Sequence, residues 1–173
     1  VHLRVASSFI SFEQAELNLS REIGAQTFNQ IKTKAKAAWH TELSKIKVEG
    51  GTLKGKKITF HDPCYLGRAN EVYEAPRRVI MRLDSLMVEM KRSKSNGLCC
   101  GAGGAQMFKE PEPGNKDINM ERAEEALALS PDTIAVACPF CMTMLSDGVK
   151  LHNKETEVKV KDIAELIAEA IDL

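Results

Sequence analysis

The five cysteines of the chain stand in three groups, and no other residue type here has a spacing so well suited to chemistry. Cys64 stands alone, Cys99 and Cys100 are adjacent, and Cys138 and Cys141 enclose the dipeptide Pro-Phe. Thiolates are soft ligands, and several of them converging on one point select iron–sulfur, zinc or copper(I). The set therefore predicts a metal or cluster site to which all five cysteines contribute.

The spacing within each group indicates how the sulfurs could share one centre. Cys138 and Cys141 are three residues apart, which puts two sulfurs within reach of one metal centre. A helix that begins at Pro139 would direct its first N–H groups at anionic sulfur. Side chains of adjacent residues point apart in extended backbone, so Cys99 and Cys100 require a kink or a multi-iron cluster. The glycines at 101, 103 and 104 can supply that kink.

Three other interpretations of the cysteines compete with a cluster. Buried free cysteines often act as small hydrophobic residues. A structural zinc site would use four thiolates and leave one over, and such sites usually show two C-x-x-C pairs. A dithiol–disulfide enzyme built on Cys138 and Cys141 would leave three cysteines unexplained. The glycine run is not a phosphate-binding loop, because no Lys-Ser/Thr follows it. Of these, the zinc module is the main alternative.

Several residues near the cysteines have ambiguous roles. His61 could donate a hydrogen bond to a cluster, but a satisfied structural histidine at a strand end is the favoured interpretation. Arginines in such positions are more often solvated than functional, which is the expectation for Arg68, Arg77 and Arg78. Three apolar side chains are expected to exclude water from the site: Leu98, Met107 and Phe108.

Composition narrows the class of protein. The 173 residues contain 24 Lys and Arg against 24 Asp and Glu, so charge favours neither a nucleic-acid partner nor an anionic membrane surface. No apolar run approaches the roughly 20 residues of a membrane span. An odd number of cysteines without a signal-like N-terminus argues against a secreted disulfide framework. We therefore expect a cytoplasmic protein.

Strand and helix patterns alternate along the cysteine-containing part of the chain. Strands are predicted at 57–60, 86–90, 133–137 and 158–160, and helices at 75–83, 117–129, from 140 onward and at 162–171. The helix at 117–129 should carry its Glu and Arg residues on the outer face. Such alternation predicts an α/β fold with a parallel sheet flanked by helices. Ligands of these folds lie beyond the carboxyl ends of the strands, where Cys64 and Cys138 are expected.

Residues 1–51 contain no cysteine and follow a different pattern. A short strand is predicted at 3–9, a helix at 13–23, and a second helix from Thr27 to 46. The second helix carries an amphipathic stripe: Phe28, Ile31, Ala35, Trp39 and Leu43. Gly50 and Gly51 then interrupt the pattern. We therefore expect an N-terminal strand and helical appendage at 1–51, followed by a cysteine-rich domain at 52–173.

Three motifs of the second part resemble one known family, and they occur in order: His61-Asp-Pro-Cys-Tyr-Leu-Gly-Arg68, Gly97-Leu-Cys-Cys-Gly-Ala-Gly-Gly104 and Cys138-Pro-Phe-Cys141. They are similar to the CCG domain, the cysteine-rich domain of heterodisulfide reductase catalytic subunits and of related iron–sulfur oxidoreductases, including glycolate oxidase iron–sulfur subunits. The resemblance covers about residues 52–173.

The resemblance implies a cofactor, a function and a partner. By it, the ligands of a [4Fe–4S] cluster are Cys64, Cys99, Cys100, Cys138 and Cys141, and in heterodisulfide reductase that cluster has a non-cubane form. The implied function is that of an oxidoreductase subunit or fragment, in electron transfer or in thiol–disulfide chemistry. Its redox partner would carry ferredoxin-type clusters or a flavin. Family members commonly have two cysteine repeats, so this chain, with one, resembles the C-terminal half of a longer protein.

Residues 1–51 resemble a different family. Arg4-Val-Ala-Ser-Ser-Phe-Ile-Ser11, Glu13-Gln-Ala-Glu-Leu-Asn-Leu19 and Ala37-Ala-Trp39 are similar to a segment of calcium-dependent exo-α-mannosidases. In that family the segment runs as linker helices toward the catalytic domain. This leaves a further alternative, an inactive glycosidase fragment fused to a cysteine-rich domain. No catalytic carboxylate can be carried over, so no sugar hydrolysis is expected.

Overall fold

The computed structural model describes residues 48–110 and 113–171. The N-terminal strand and helices predicted from the sequence lie outside the described residues. Lys47–Leu173 forms one compact unit, and the fold below is that of this unit. Among the described residues, no helix is both long enough and apolar enough to cross a membrane.

A parallel sheet forms the centre of the described unit, as predicted. Its four strands within the described residues are β1 (Lys57–Phe60), β2 (Leu86–Val88), β3 (Thr133–Val136) and β4 (Lys159–Asp162). They lie in the order β2-β1-β3-β4, with Ile58 paired to Thr133 and Thr133 paired to Lys159. From β1 the chain goes to one side for β2 and to the other side for β3. The point where the strand order reverses therefore lies between β1 and β3, where open α/β sheets bind ligands.

The two central strands supply the core of the sheet. Ile58 and Phe60 of β1 and Ile134 and Val136 of β3 are fully buried. Both faces of these strands are covered, which explains why they appear in the sequence as continuous rather than alternating apolar runs. The edge strand β2 is different, because Leu86 is exposed.

Helices connect the strands: α1 (Glu74–Arg82), α2 (Ile118–Leu127), α3 (Pro139–Leu151) and α4 (Ile163–Ala170). Each corresponds to a predicted helix, with ends that differ by one or two residues where both ends were predicted. The predicted Asp162 cap of α4 is confirmed. The Asp162 carboxylate accepts a hydrogen bond from Ala164 N at 2.8 Å, and Glu165 accepts one from Asp162 N at 2.8 Å. This is a complete capping box.

A glycine brings α2 and α3 unusually close together. A Cβ atom at Gly148 would lie 2.7 Å from the Cβ of Ala123 and 2.7 Å from the carbonyl oxygen of Asn119. No larger residue fits without moving one helix. The close packing holds α3, which begins at the Cys138 motif, firmly against α2.

The residues just before β1 are attached to the described unit. Val48 N donates a hydrogen bond to the Arg82 carbonyl at 3.0 Å, and Gly50 N donates one to the Asp84 carboxylate at 2.9 Å. The Thr52 hydroxyl donates one to the Glu169 carbonyl at 2.9 Å. The backbone around the predicted boundary at residue 51 is therefore held by α1, α4 and the turn after α1.

Three expectations about side-chain exposure are wrong. Arg77 was expected to be solvated but is 2% exposed, because its guanidinium lies between the carboxylates of Asp62 and Glu89. Arg122, expected on the outer face of its helix, is fully buried. Phe108 is 77% exposed on a 3-10 turn and so does not exclude water from the interior.

Candidate metal centre

The cysteines lie at the carboxyl ends of the two central strands. Cys64 follows β1 and Cys138 follows β3, while Cys99 and Cys100 belong to the loop after the 3-10 turn Lys94–Asn96. Four of the five cysteines line one crevice: Cys64, Cys99, Cys100 and Cys141. Cys138 shares a hydrogen bond with Cys141 and is close enough to Cys64 and Cys100 for their charges to interact. The structure thus brings all five predicted residues together, and all five are free thiols.

The most intimate cysteine pair is buried. The sulfurs of Cys100 and Cys141 are 3.5 Å apart, and Cys141 donates its hydrogen to Cys100. Hydrogen bonds from Cys141 and from His61 lower the pKa of Cys100 far below its usual value. Hydrogen bonds to Cys100 and Cys138, together with burial, raise the pKa of Cys141. The group therefore shares protons, and the sulfurs carry anionic charge unless a cation compensates it.

Backbone N–H groups are directed at several of these sulfurs. Gly101 N donates to the Cys99 sulfur at 3.3 Å, and Ala102 N donates to Cys100. Cys138 is the N-cap of α3, with Pro139 in the first turn as predicted. The hydrogen bond from Cys141, followed by backbone N–H groups of Cys141 and Phe140, lowers the pKa of Cys138 to about 6. Such fixed donors stabilise an anionic group at this sheet edge.

The predicted kink after the cysteine pair is confirmed. Gly101 has φ of +95°, a conformation that strains any residue with a side chain. A Cβ atom at Gly101 would in addition meet Met144 at 3.2 Å. This turn is what allows Cys99 and Cys100 to reach the same crevice although they are neighbours in sequence.

An unusual turn positions Cys64, and the sequence analysis missed it. Tyr65–Ala69 form a π-helical turn immediately after this cysteine. Arg68 donates to the Gly97 carbonyl at 2.6 Å, which links the turn to the loop of Cys99 and Cys100. Five residues are too few to show a helical period, so no sequence pattern identifies such a turn.

Asp62 braces the segment between β1 and Cys64. Its two carboxylate oxygens accept hydrogen bonds from Arg77 at 2.7 and 2.8 Å, and one also accepts Lys94 N at 2.7 Å. Burial opposes ionisation of Asp62, but the hydrogen bonds and charge of Arg77 outweigh it and lower the pKa of Asp62. Arg77 is held in turn by Glu89. The motif aspartate therefore anchors the cysteine loop to α1.

His61 lies beside the cysteines, which was the less favoured of its two interpretations. The ring is 1% exposed and hydrogen bonded to Cys100. The ligand atoms of His61, Cys100 and Cys141 lie within 4.8 Å of one another. Burial, together with the charge of Arg122, lowers the pKa of His61, so the ring is neutral. The histidine of the His-Asp-Pro-Cys motif thus belongs to the site.

Arg122 is a site residue for which the sequence contained no signal. Its Nε donates to Nδ1 of His61 at 3.0 Å, and its Nη1 donates to the Arg92 carbonyl at 2.7 Å and to Glu125 at 3.1 Å. Its Nη2 is buried and has no hydrogen-bond partner among the described residues. A buried guanidinium next to this thiol cluster supplies positive charge where an anionic metal–sulfur group requires it. The donor set of the site therefore fits such a group.

Fold and site together define a cysteine-rich α/β domain. The family model described as "Cysteine-rich domain" (CCG) matches residues 58–146, which is more than half of the chain. The chain belongs to this family. A second model, "Glycosyl hydrolase family 92 catalytic domain", matches residues 14–66 and overlaps the beginning of the first match.

The chain is similar to several named redox proteins. It is 39% identical, over 97% of its length, to the probable iron–sulfur-binding oxidoreductase FadF of Bacillus subtilis, and covers 27% of that protein. It is 40% identical, over 77% of its length, to 20% of the EtfAB:quinone oxidoreductase of Syntrophomonas wolfei. It is 37% identical, over 94% of its length, to 39% of a dihydromethanophenazine:CoB–CoM heterodisulfide reductase subunit of Methanosarcina barkeri.

Two facts about coverage follow from these alignments. The chain spans between a fifth and two fifths of the length of these relatives. The alignment with FadF includes 97% of the chain and so continues through the predicted boundary at residue 51.

Proposed function

We propose that this chain is an iron–sulfur redox domain in which the cluster is held by Cys64, Cys99, Cys100, Cys138 and Cys141. The observation that carries the proposal is the convergence of five free thiols from three distant segments on one crevice, with backbone N–H groups directed at their sulfurs. The similarity to a probable iron–sulfur-binding oxidoreductase supports it. When bound, the cluster would supply reversible uptake of electrons.

The number of thiols supports a particular kind of cluster. A regular [4Fe–4S] cluster takes four cysteine ligands, one for each iron. Five converge here, and the adjacent pair Cys99 and Cys100 both belong to the site. We therefore assign a [4Fe–4S] cluster of non-cubane form, in which an additional thiolate finds a place.

The proposed reaction class is electron transfer or thiol–disulfide chemistry within a larger redox protein. Relatives named as an EtfAB:quinone oxidoreductase and as a heterodisulfide reductase subunit support this range. The redox partner would carry ferredoxin-type clusters or a flavin. Cys64 is the exposed cysteine of the set, so its side of the crevice is where electrons or a sulfur substrate would arrive. Five free thiols are consistent with the reducing cytoplasm.

The test is anaerobic reconstitution of the full chain with iron and sulfide, followed by metal and acid-labile sulfide analysis. We expect about four irons and a broad visible absorption, in keeping with a [4Fe–4S] cluster. Each of the five Cys→Ser variants should lose iron or change the spectrum, whereas the control Asp147→Asn, at an exposed position of α3, should not. A colourless protein that holds zinc without sulfide would replace this proposal by the structural zinc module.

A further inference from the structure

The hydrogen-bond pattern around His61 determines which of its ring nitrogens carries the proton. The Nε atom of an arginine has a hydrogen and no acceptor capacity, so in its contact with Nδ1 of His61 at 3.0 Å it is the donor. Nδ1 must therefore be unprotonated. A neutral imidazole carries one hydrogen, which places it on Nε2. His61 is thus left with a donor for its second hydrogen bond.

The second hydrogen bond of His61 is made with Cys100. Since Nδ1 is occupied by Arg122, the nitrogen that serves Cys100 is Nε2–H. A metal ligand would need the lone pair of Nε2, and that lone pair is absent in this tautomer. The closeness of His61, Cys100 and Cys141 could suggest a mixed histidine–cysteine metal site, but Arg122 excludes the histidine from it.

Arg122 itself is held in a fixed orientation. Its Nη1 donates to the Arg92 carbonyl and to Glu125, and Glu125 also accepts Arg92 N at 2.5 Å and Arg92 Nε at 2.9 Å. The side chain is fully buried between α2 and the end of β1. A rigid guanidinium therefore faces the histidine from behind, on the side opposite the thiols.

We propose that His61 is a fixed hydrogen-bond donor to the Cys100 sulfur and not a metal ligand, and that Arg122 is the positioning residue that sets its tautomer. The role toward a cluster rests on the function proposed above, whereas the tautomer does not depend on it. Hydrogen bonds to cluster sulfurs stabilise the more negative, reduced state and so raise the reduction potential. His61 is thereby assigned the tuning of the cluster potential.

The first arm of the test measures the tautomer in the metal-free full chain by long-range ¹H–¹⁵N NMR. The His61 signals are identified by their loss in His61→Gln, and we expect the Nε2–H tautomer with a hydrogen-bonded Nδ1. In Arg122→Lys, or in Arg122→Met if that variant folds, the Nδ1 resonance should move to the position of a free nitrogen. The control Arg92→Met removes an arginine of the same network that does not contact His61, and should leave the resonance in place.

The second arm compares two amides in the reconstituted protein. The amide nitrogen of glutamine falls near the position of Nε2, so His61→Gln retains a donor for Cys100. The oxygen and nitrogen of asparagine fall near Nδ1, so His61→Asn can satisfy Arg122 but not Cys100. We expect His61→Asn to have a lower midpoint potential, His61→Gln to remain close to the wild type, and both to keep their iron.

Distinct results would overturn the proposal. An Nδ1–H tautomer in the unmodified chain would refute the role of Arg122. Loss of iron in both amide variants would identify His61 as a ligand, and equal potentials in all three proteins would exclude tuning. If the unmodified chain bound no cluster, the proposed function would fail, but the NMR arm would still decide the tautomer and the role of Arg122.

Discussion

At the scale of single residues, the site depends on buried charges more than on the cysteines' immediate neighbours. Asp62 and Arg77 form a two-pronged ion pair with both side chains 3% exposed. Removing one member of such a pair leaves the other charged and buried without full compensation. The motif aspartate is therefore expected to matter for stability before it matters for chemistry.

Replacing Asp62 by asparagine should destabilise the metal-free protein by about 3 kcal/mol, because Arg77 keeps its charge and loses its buried partner. The measurement is urea unfolding followed by circular dichroism. The matched control is Glu89→Gln, which removes the other carboxylate of Arg77. Its side chain is 41% exposed, so the cost should be no more than about 1 kcal/mol. Equal losses in the two variants would contradict the role assigned to Asp62.

Glu125 should give the protein part of its acid sensitivity. Burial opposes its ionisation, but hydrogen bonds from Arg92 and the charges of Arg122 and Arg92 outweigh burial and lower its pKa. A carboxyl with a lower pKa in the folded state stabilises the protein above its unfolded pKa of about 4.3, and this contribution disappears as the pH falls through the folded pKa.

The variant Glu125→Gln tests this linkage in the metal-free protein. The difference in unfolding free energy between wild type and variant should be constant near neutral pH and should shrink as the pH falls below about 4. Urea unfolding at a series of pH values between about 3 and 7 provides the measurement. A difference that stays constant over the whole range would show that the Glu125 pKa is not lowered by folding.

At the scale of elements, the position of α3 sets the position of two cysteines. Cys138 caps this helix and Cys141 lies in its first turn, while Gly148 holds its other half against α2. The packing of one helix pair thus links the thiols on α3 to Arg122 on α2. The contact at Gly148 is the point at which this link can be perturbed without touching the site.

Gly148→Ala should destabilise the protein although alanine is the better helix former. The added Cβ would lie 2.7 Å from Ala123 and from a backbone oxygen. Overpacking costs about 1–3 kcal/mol, against a gain of up to about 1 kcal/mol in helix propensity. Thermal unfolding measures the net loss, and iron content after reconstitution should fall as α3 shifts. Asp147→Ala, one residue earlier and exposed, is the control, and a stabilised Gly148→Ala would contradict the close packing.

At the scale of the whole molecule, the division of the chain at residue 51 remains a prediction. Two observations bear on where an experiment should cut. Backbone and side-chain hydrogen bonds attach Val48, Gly50 and Thr52 to the described unit. The compact unit that contains the site begins at Lys47.

Deleting residues 1–46 should therefore leave cluster binding intact, because every described contact of the site lies beyond this point. Deleting residues 1–52 should lower the unfolding temperature further, since it also removes the hydrogen bonds to α1 and α4. Iron content and thermal unfolding of the two truncations provide the comparison. A soluble protein without residues 1–46 that takes up no iron would show that the N-terminal segment is an integral part of the redox domain.

The sequence by itself determined those features of this protein that depend on neighbouring residues. Alternating strand and helix patterns identified the parallel α/β fold, and the Asp162 cap and the kink at Gly101 followed from local backbone chemistry. The five cysteines were recognisable because thiols in a spaced pattern have few other uses. These signals survive because period, capping and turn preferences act within a few residues.

Only the tertiary structure decided which distant residues complete the site. Placing β1 beside β3 brought Cys64 and Cys138 to one edge, and the same arrangement buried Arg122 against His61, 61 positions away. An arginine in a charged helix has the sequence pattern of a solvated one. Its burial depends on partners that long-range packing supplies, and no local period records them. The same reason explains why Arg77 was expected in solvent and was found between two carboxylates.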